Sequence, residues 1–146
     1  MRTRQLLDAA LRRFWRAVPR YRGLRGVGQE WEDAAARHLQ REGYKILARN
    51  YRTKAGEIDF VAEDGATLCF IEVKARRTSA FGSPAEAVTP EKQRRIWNAA
   101  QLYLRKARVR PVCRFDVVAI DASGEPARVK LLRGAFEGPP RAARPR

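Results

Sequence analysis

Residues 58–62 and 68–75 are two short runs rich in β-branched and aromatic side chains, separated by the turn signal Asp64-Gly65. Strands this close in sequence pair as an antiparallel hairpin, and the two-residue period of a strand fixes which side chains share a face. In the first strand Glu57, Asp59 and Val61 face one way and Ile58, Phe60 and Ala62 the other. In the second, Phe70, Glu72, Lys74 and Arg76 oppose Ile71, Val73 and Ala75. An even-length loop brings Asp59, Glu72 and Lys74 together on one face. A two-residue turn makes Asp59 and Glu72 diagonal neighbours, and a four-residue turn sets them directly opposite.

The rest of the chain supplies layers for this hairpin. A helix is predicted over 30–41, with Ala35, Ala36 and Leu39 on one face and Gly43 as its C-terminal cap. A strand follows at 46–51. Thr89-Pro90-Glu91 joins a capping hydroxyl, a proline at the first helical position and an acid in the first turn, so a second helix is predicted over 90–108. Two further strands are predicted at 115–120 and 129–132. The order helix, three strands, helix, two strands predicts an α/β (α+β) fold, a mixed five-stranded sheet flanked by helices in a single domain.

At 146 residues the chain fits one compact domain, placed at 26–135. Residues 1–25 carry eight Arg and the single acid Asp8, with Leu7, Leu11, Phe14, Trp15 and Val18 at helical spacing. This basic N-terminal extension reads as an appendage, a phosphate-contacting arm or a membrane-surface helix. Residues 136–146, with Pro139, Pro140 and three Arg, lack an apolar face and read as a disordered basic tail. The short apolar runs exclude a transmembrane helix and an unbroken signal segment near the start. Cys69 and Cys113 read as small buried hydrophobes, which makes the cytoplasm the expected compartment. His38 has no Cys or second His at ligand spacing, which argues against zinc.

Lys plus Arg number 31 against 16 Asp plus Glu, a formal +15, and 25 of those bases are Arg. The guanidinium fork suits phosphate, so a polyanion is the expected partner; the competing reading is that the excess is compositional. Against this background Asp59 and Glu72 are conspicuous, because two carboxylates on one apolar strand face repel each other and resist desolvation. A hard divalent cation such as Mg²⁺ offsets both costs, and Lys74 on the same face could then orient or deprotonate a water for attack on a phosphodiester. The alternative is a salt-bridge ladder of Glu57, Glu72 and Lys74 on a solvated face.

With these motifs in hand, the chain resembles a known family. Gly56-Glu57-Ile58-Asp59 and Phe70-Ile71-Glu72-Val73-Lys74-Ala75-Arg76 look like the core signature of the bacterial YraN-type proteins. These belong to the PD-(D/E)XK nuclease-like superfamily and are similar to archaeal Holliday junction resolvases. The resemblance spans about 28–132 and takes in Gly43-Tyr44, Arg49-Asn50, Phe81-Gly82, Glu86-Ala87-Val88, Lys92-Gln93 and Arg114-Phe115-Asp116-Val117-Val118. It implies a restriction-endonuclease-like fold, Asp59 and Glu72 as ligands of Mg²⁺ or Mn²⁺, Lys74 as the catalytic lysine, and a helix glutamate aligned at Glu32. Trp31 stands where the family usually has Gly, and Glu30 competes with Glu32 for that role.

Around this constellation Arg76, Arg77, Lys92, Arg94 and Arg95 flank the loop 78–89 and the start of the second helix, a surface suited to tracking phosphates. Phe81 in that loop reads as a buried anchor or as a stacking wedge. The expected function is therefore a Mg²⁺- or Mn²⁺-dependent endonuclease on branched or structured DNA, compatible with a homodimer. The alternatives are a non-catalytic nucleic-acid-binding protein on the same fold, and a membrane-surface or partner-binding role for residues 1–25.

Overall fold

A computed structural model describes residues 29–76 and 88–138. The expectations for 1–25, for Arg77 and Phe81, and for the tail beyond 138 lie outside the described residues. Helix α1, Gln29–Arg41, carries Glu30 and Glu32 in its first turn and His38 and Arg41 in its last, as the helix dipole favours. It ends where Gly43 takes φ 89°, and Tyr44 N–H donates to the Leu39 carbonyl at 2.9 Å. Strands β1 (Lys45–Arg52), β2 (Glu57–Asp64) and β3 (Thr67–Arg76) follow, then helix α2 (Pro90–Ala107) and strands β4 (Val112–Asp121) and β5 (Arg128–Phe136).

The five strands form one sheet in the order β1-β2-β3-β4-β5. Only β3 and β4 run parallel, with α2 between them in the chain, so the sheet is mixed as expected. Among the described residues, one helix covers each face. Ala35, Ala36 and Leu39 of α1 pack on Phe60, Ala62, Cys69, Ile71, Val118 and Ile120. On the other face, Ile96, Ala99, Ala100 and Tyr103 of α2 pack on Val61, Phe70, Phe115 and Val117. Each fully buried Phe or Ile contributes roughly 1.5–3 kcal/mol of transfer free energy to this sandwich. Among the described residues no helix is long and apolar enough to cross a membrane.

Helix α2 begins as its sequence predicts. Thr89 is the N-cap and its hydroxyl accepts the Lys92 N–H at 3.2 Å, with Pro90 in the first turn. It ends one residue early, because Arg108 adopts φ 54° and caps the Leu104 and Arg105 carbonyls. Strand β5 is longer than the predicted 129–132. A register shift near Gly134, at φ 62°, lets it continue to Phe136, whose ring stacks on Phe115 at 5.0 Å.

Two features of the central hairpin differ from simple alternation. The loop is Gly65-Ala66, because Asp64 pairs with Thr67 and Gly65 supplies the left-handed φ of 61°. This register directs Asp59 opposite Glu72 even though the loop has only two residues, where a turn on Asp64-Gly65 would leave them diagonal. Ile58 also packs with Val61 and Phe70 on the α2 face, whereas Phe60 and Ala62 lie on the α1 face. The alternation slips beside Asp59, opposite the point where Asn50 of β1 takes φ 52°. Asn tolerates that left-handed conformation better than a branched residue, which is why the distortion falls there.

Candidate metal and nucleic-acid site

The sheet opens at Asp59. Pairing between β2 and β3 ends at Phe60 opposite Ile71, while β2 continues alongside β1 to Glu57 and β3 alongside β4 to Arg76. Across the opening, Asp59 Oδ2 accepts the Val73 N–H at 2.8 Å. A side-chain carboxyl thus satisfies a backbone donor that the ladder no longer reaches. Gly56 packs the β1–β2 turn against α2 beside the opening. A Cβ there would lie 3.0 Å from the Arg95 carbonyl oxygen, tighter than ordinary contact, so glycine lets the β1–β2 turn rest close on the backbone of α2.

Glu72 stands next to Asp59 and is almost wholly buried, at 6% exposure. Burial first, and the neighbouring Asp59 charge second, push its carboxyl well above the usual carboxylate range. Asp59 is raised as well, chiefly by burial; the Val73 N–H acts against this. The two groups can hydrogen-bond to one another only while one holds a proton. As two carboxylates they have no donor between them, and Glu72 Oε2 has no hydrogen-bond partner among the described residues.

Cations gather on the α2 side of this pair. Lys92 Nζ lies 3.6 Å from Glu72 Oε1. A pocket of about 240 Å³ is lined by Glu72 and Lys74 of β3, Val88 and Thr89 before α2, and Glu91, Lys92 and Arg95 of its first turns. Lys74 therefore shares the pocket with Glu72, two residues along one strand, and both it and Lys92 act on the Glu72 charge. Arg95 lines the rim while paired to Glu91 at 2.7 Å.

The α1 side contributes carboxylates. Glu32 is half-buried, accepts a 3.0 Å hydrogen bond from Asn50 Nδ2, and adds its negative field at Asp59. Asp33 holds Arg49 at 2.6 Å, so the Arg49-Asn50 pair ties α1 to β1 beside the opening. Glu30 is exposed. Glu57 pairs with Arg52 across the β1–β2 turn at 3.4 Å, a structural ion pair, and also acts on Asp59. Of the expected basic surface, Lys92 and Arg95 line the pocket, Arg94 is exposed outside its lining, and Arg76 is half-buried at the end of β3. Among the described residues no group of three or more His, Cys, Asp or Glu is gathered closely enough to hold a metal ion by itself.

A second polar cluster, whose roles sequence reading missed, lies toward the opposite end of the sheet. Asp116 is fully buried and accepts from Tyr44 Oη at 2.7 Å, Arg114 Nε at 2.8 Å and Gly134 N at 2.9 Å. Arg114 also reaches Asp64 at 2.7 Å and holds that carboxyl below its ordinary range. Every partner there is satisfied, so this network anchors the fold. Its available signal was that Asp116 is the single polar residue of the run 115–120.

The profile of the Uncharacterised protein family UPF0102 matches residues 31–120, from the first turn of α1 to the end of β4. The chain belongs to the UPF0102 family. The YraN-type resemblance of the hairpin motifs agrees with this membership. A UPF0102 protein of Herminiimonas arsenicoxydans is 50% identical over 111 residues, covering 76% of this chain and 86% of that protein. One from Symbiobacterium thermophilum is 48% identical over 114 residues, covering 77% and 97%. Another from Cupriavidus pinatubonensis is 53% identical over 108 residues, covering 73% and 81%. The UPF0102 span includes Glu32, Asp59, Glu72, Lys74 and Lys92.

Proposed function

We propose that this UPF0102 protein is a Mg²⁺- or Mn²⁺-dependent endonuclease that hydrolyses branched or structured DNA. The observation that carries the reading is the pair of half-buried Asp59 and buried Glu72 where the sheet opens, with an oxygen of Glu72 left without a donor among the described residues. Oxygen donors in this number suit Mg²⁺ or Mn²⁺, which bind through one or two carboxylates and complete their shell with water and substrate phosphate. Asp59 and Glu72 would hold the ion, and Glu32 would add negative potential from α1. When bound, the ion supplies Lewis-acid stabilisation of the charge that builds on a phosphodiester under attack.

The chain's own groups do the rest. Lys74, in the pocket beside Glu72, orients the attacking water or takes its proton. Water oxygen bonds to phosphorus, the opposite P–O ester bond breaks, and the departing oxygen takes up a proton. Lys92, Arg95, Arg94, Arg76 and Arg77 bind the flanking phosphates, and the +15 charge draws the polyanion in. The preference for branched substrates rests on the motif resemblance to junction resolvases.

The test is incubation of the full chain with duplex, flap, single-stranded and four-way-junction DNA, with and without Mn²⁺. Cleavage of a branched form that needs Mn²⁺ and disappears in Lys74→Ala is expected. Binding without cleavage of any substrate would favour the non-catalytic nucleic-acid-binding alternative, and neither binding nor cleavage at moderate salt would remove both.

A further inference from the structure

Lys92 stands where helix electrostatics disfavour it. It is the third residue of α2, a position at which a capping box carries Glu or Gln and at which the positive end of the helix dipole repels a cation. Its backbone N–H is taken by Thr89, but its ammonium turns to Glu72 Oε1 at 3.6 Å. The two partners differ in freedom: the Glu72 side chain is 7% exposed and the Lys92 side chain 40%. Of the two lysines in the pocket, Lys92 counters the Glu72 charge more than Lys74 does. A local rule broken beside a buried, under-satisfied carboxylate marks a functional compromise.

Resting on the metal-site reading above, we infer that Lys92 is a built-in counter-cation of the carboxylate pair, competing with the divalent ion for Glu72 and released toward substrate phosphate when that ion binds. A long, half-exposed side chain can make this exchange without moving the backbone. Two cations cannot both sit against one carboxylate without repulsion, so ion entry loosens Lys92 within a pocket that Arg95 and the start of α2 already make favourable to phosphate. By linkage, a phosphate that holds Lys92 away strengthens ion binding equally. Lys92 is thus a positioning residue that couples nucleic acid to metal.

The test is calorimetric titration of Mn²⁺ alone into the full chain, comparing wild type with Lys92→Met, Lys92→Gln and Lys92→Arg. Lys92→Met and Lys92→Gln should bind Mn²⁺ about fivefold more tightly than wild type, the scale of one partly exposed ion pair. Lys92→Arg should stay within about twofold, since it keeps the charge. Without Mn²⁺ the two neutral variants should melt below wild type, and Mn²⁺ should raise their melting temperature more. Wild type binding Mn²⁺ with both neutral variants equal to it or weaker would overturn the counter-cation role and leave the metal site standing. Absence of binding in all four proteins would overturn the metal site and this inference together.

Discussion

Asp59 Oδ2 accepts the Val73 N–H at 2.8 Å where the β2–β3 ladder stops. This one contact fixes an acid at the mouth of an opening between strands and keeps the Val73 donor from being stranded. The two jobs separate by mutation. Asp59→Asn retains an acceptor oxygen and should fold with near-native stability. Asp59→Ala leaves the Val73 N–H unpaired and should cost about 1–3 kcal/mol, and urea denaturation of the metal-free proteins measures the gap. Equal stability of the two variants would mean that the contact does not support the fold.

Glu72→Gln should stabilise the metal-free protein. The amide ends the repulsion with Asp59 and gives it a hydrogen-bond donor, at the loss of the ion pair with Lys92. A gain on the order of 1 kcal/mol corresponds to about 3 °C in melting temperature for a domain of this size. A lower melting temperature in Glu72→Gln would show that Lys92 already offsets the charge of the pair in full.

Gly56→Ala should lower stability by about 1–3 kcal/mol, the usual cost of overpacking. The added Cβ meets the Arg95 carbonyl oxygen at 3.0 Å and Arg95 Cβ at 3.1 Å, and the backbone atom cannot rotate aside. Because the β1–β2 turn and α2 both border the opening, the same variant should weaken Mn²⁺ binding. Unchanged melting and unchanged Mn²⁺ affinity would show that the turn relaxes freely.

Most of the layer order was legible in sequence because period and punctuation agree. Ala35, Ala36 and Leu39, the Thr89-Pro90-Glu91 start and the β-branched runs each predict their element, and each forms. Asp59 and Glu72 were also legible as neighbours, since a hairpin leaves few registers. The slip of Ile58 to the other face was not, because it depends on Asn50 in β1 and on the strands parting, both tertiary effects. The pairing of Lys92 with Glu72 was likewise hidden, since the two lie twenty positions apart in sequence, on a strand and on the helix after it. Asp116 could be seen as a polar residue in the apolar run 115–120, but its partners Tyr44 and Gly134 lie 72 and 18 positions away in sequence.

Acid should reveal the Asp64–Arg114 pair. Arg114 depresses the Asp64 carboxyl below the ordinary value near 4, so its stabilisation is complete above that pH and is lost as pH falls through the depressed folded value. Asp64→Asn should therefore be less stable than wild type at pH 7, with the difference shrinking toward pH 2. Denaturant midpoints at both pH values measure it, and a difference that grows on acidification would contradict the assignment.

The central claim is that Asp59 and Glu72 together bind a divalent ion, and Mn²⁺ binding followed by electron paramagnetic resonance tests it most directly. Wild type should bind Mn²⁺, whereas Asp59→Asn and Glu72→Gln, each folded by circular dichroism, should lose at least about tenfold in affinity for one missing carboxylate charge. Variants that bind Mn²⁺ as tightly as wild type would contradict the account and leave the pair a structural contact.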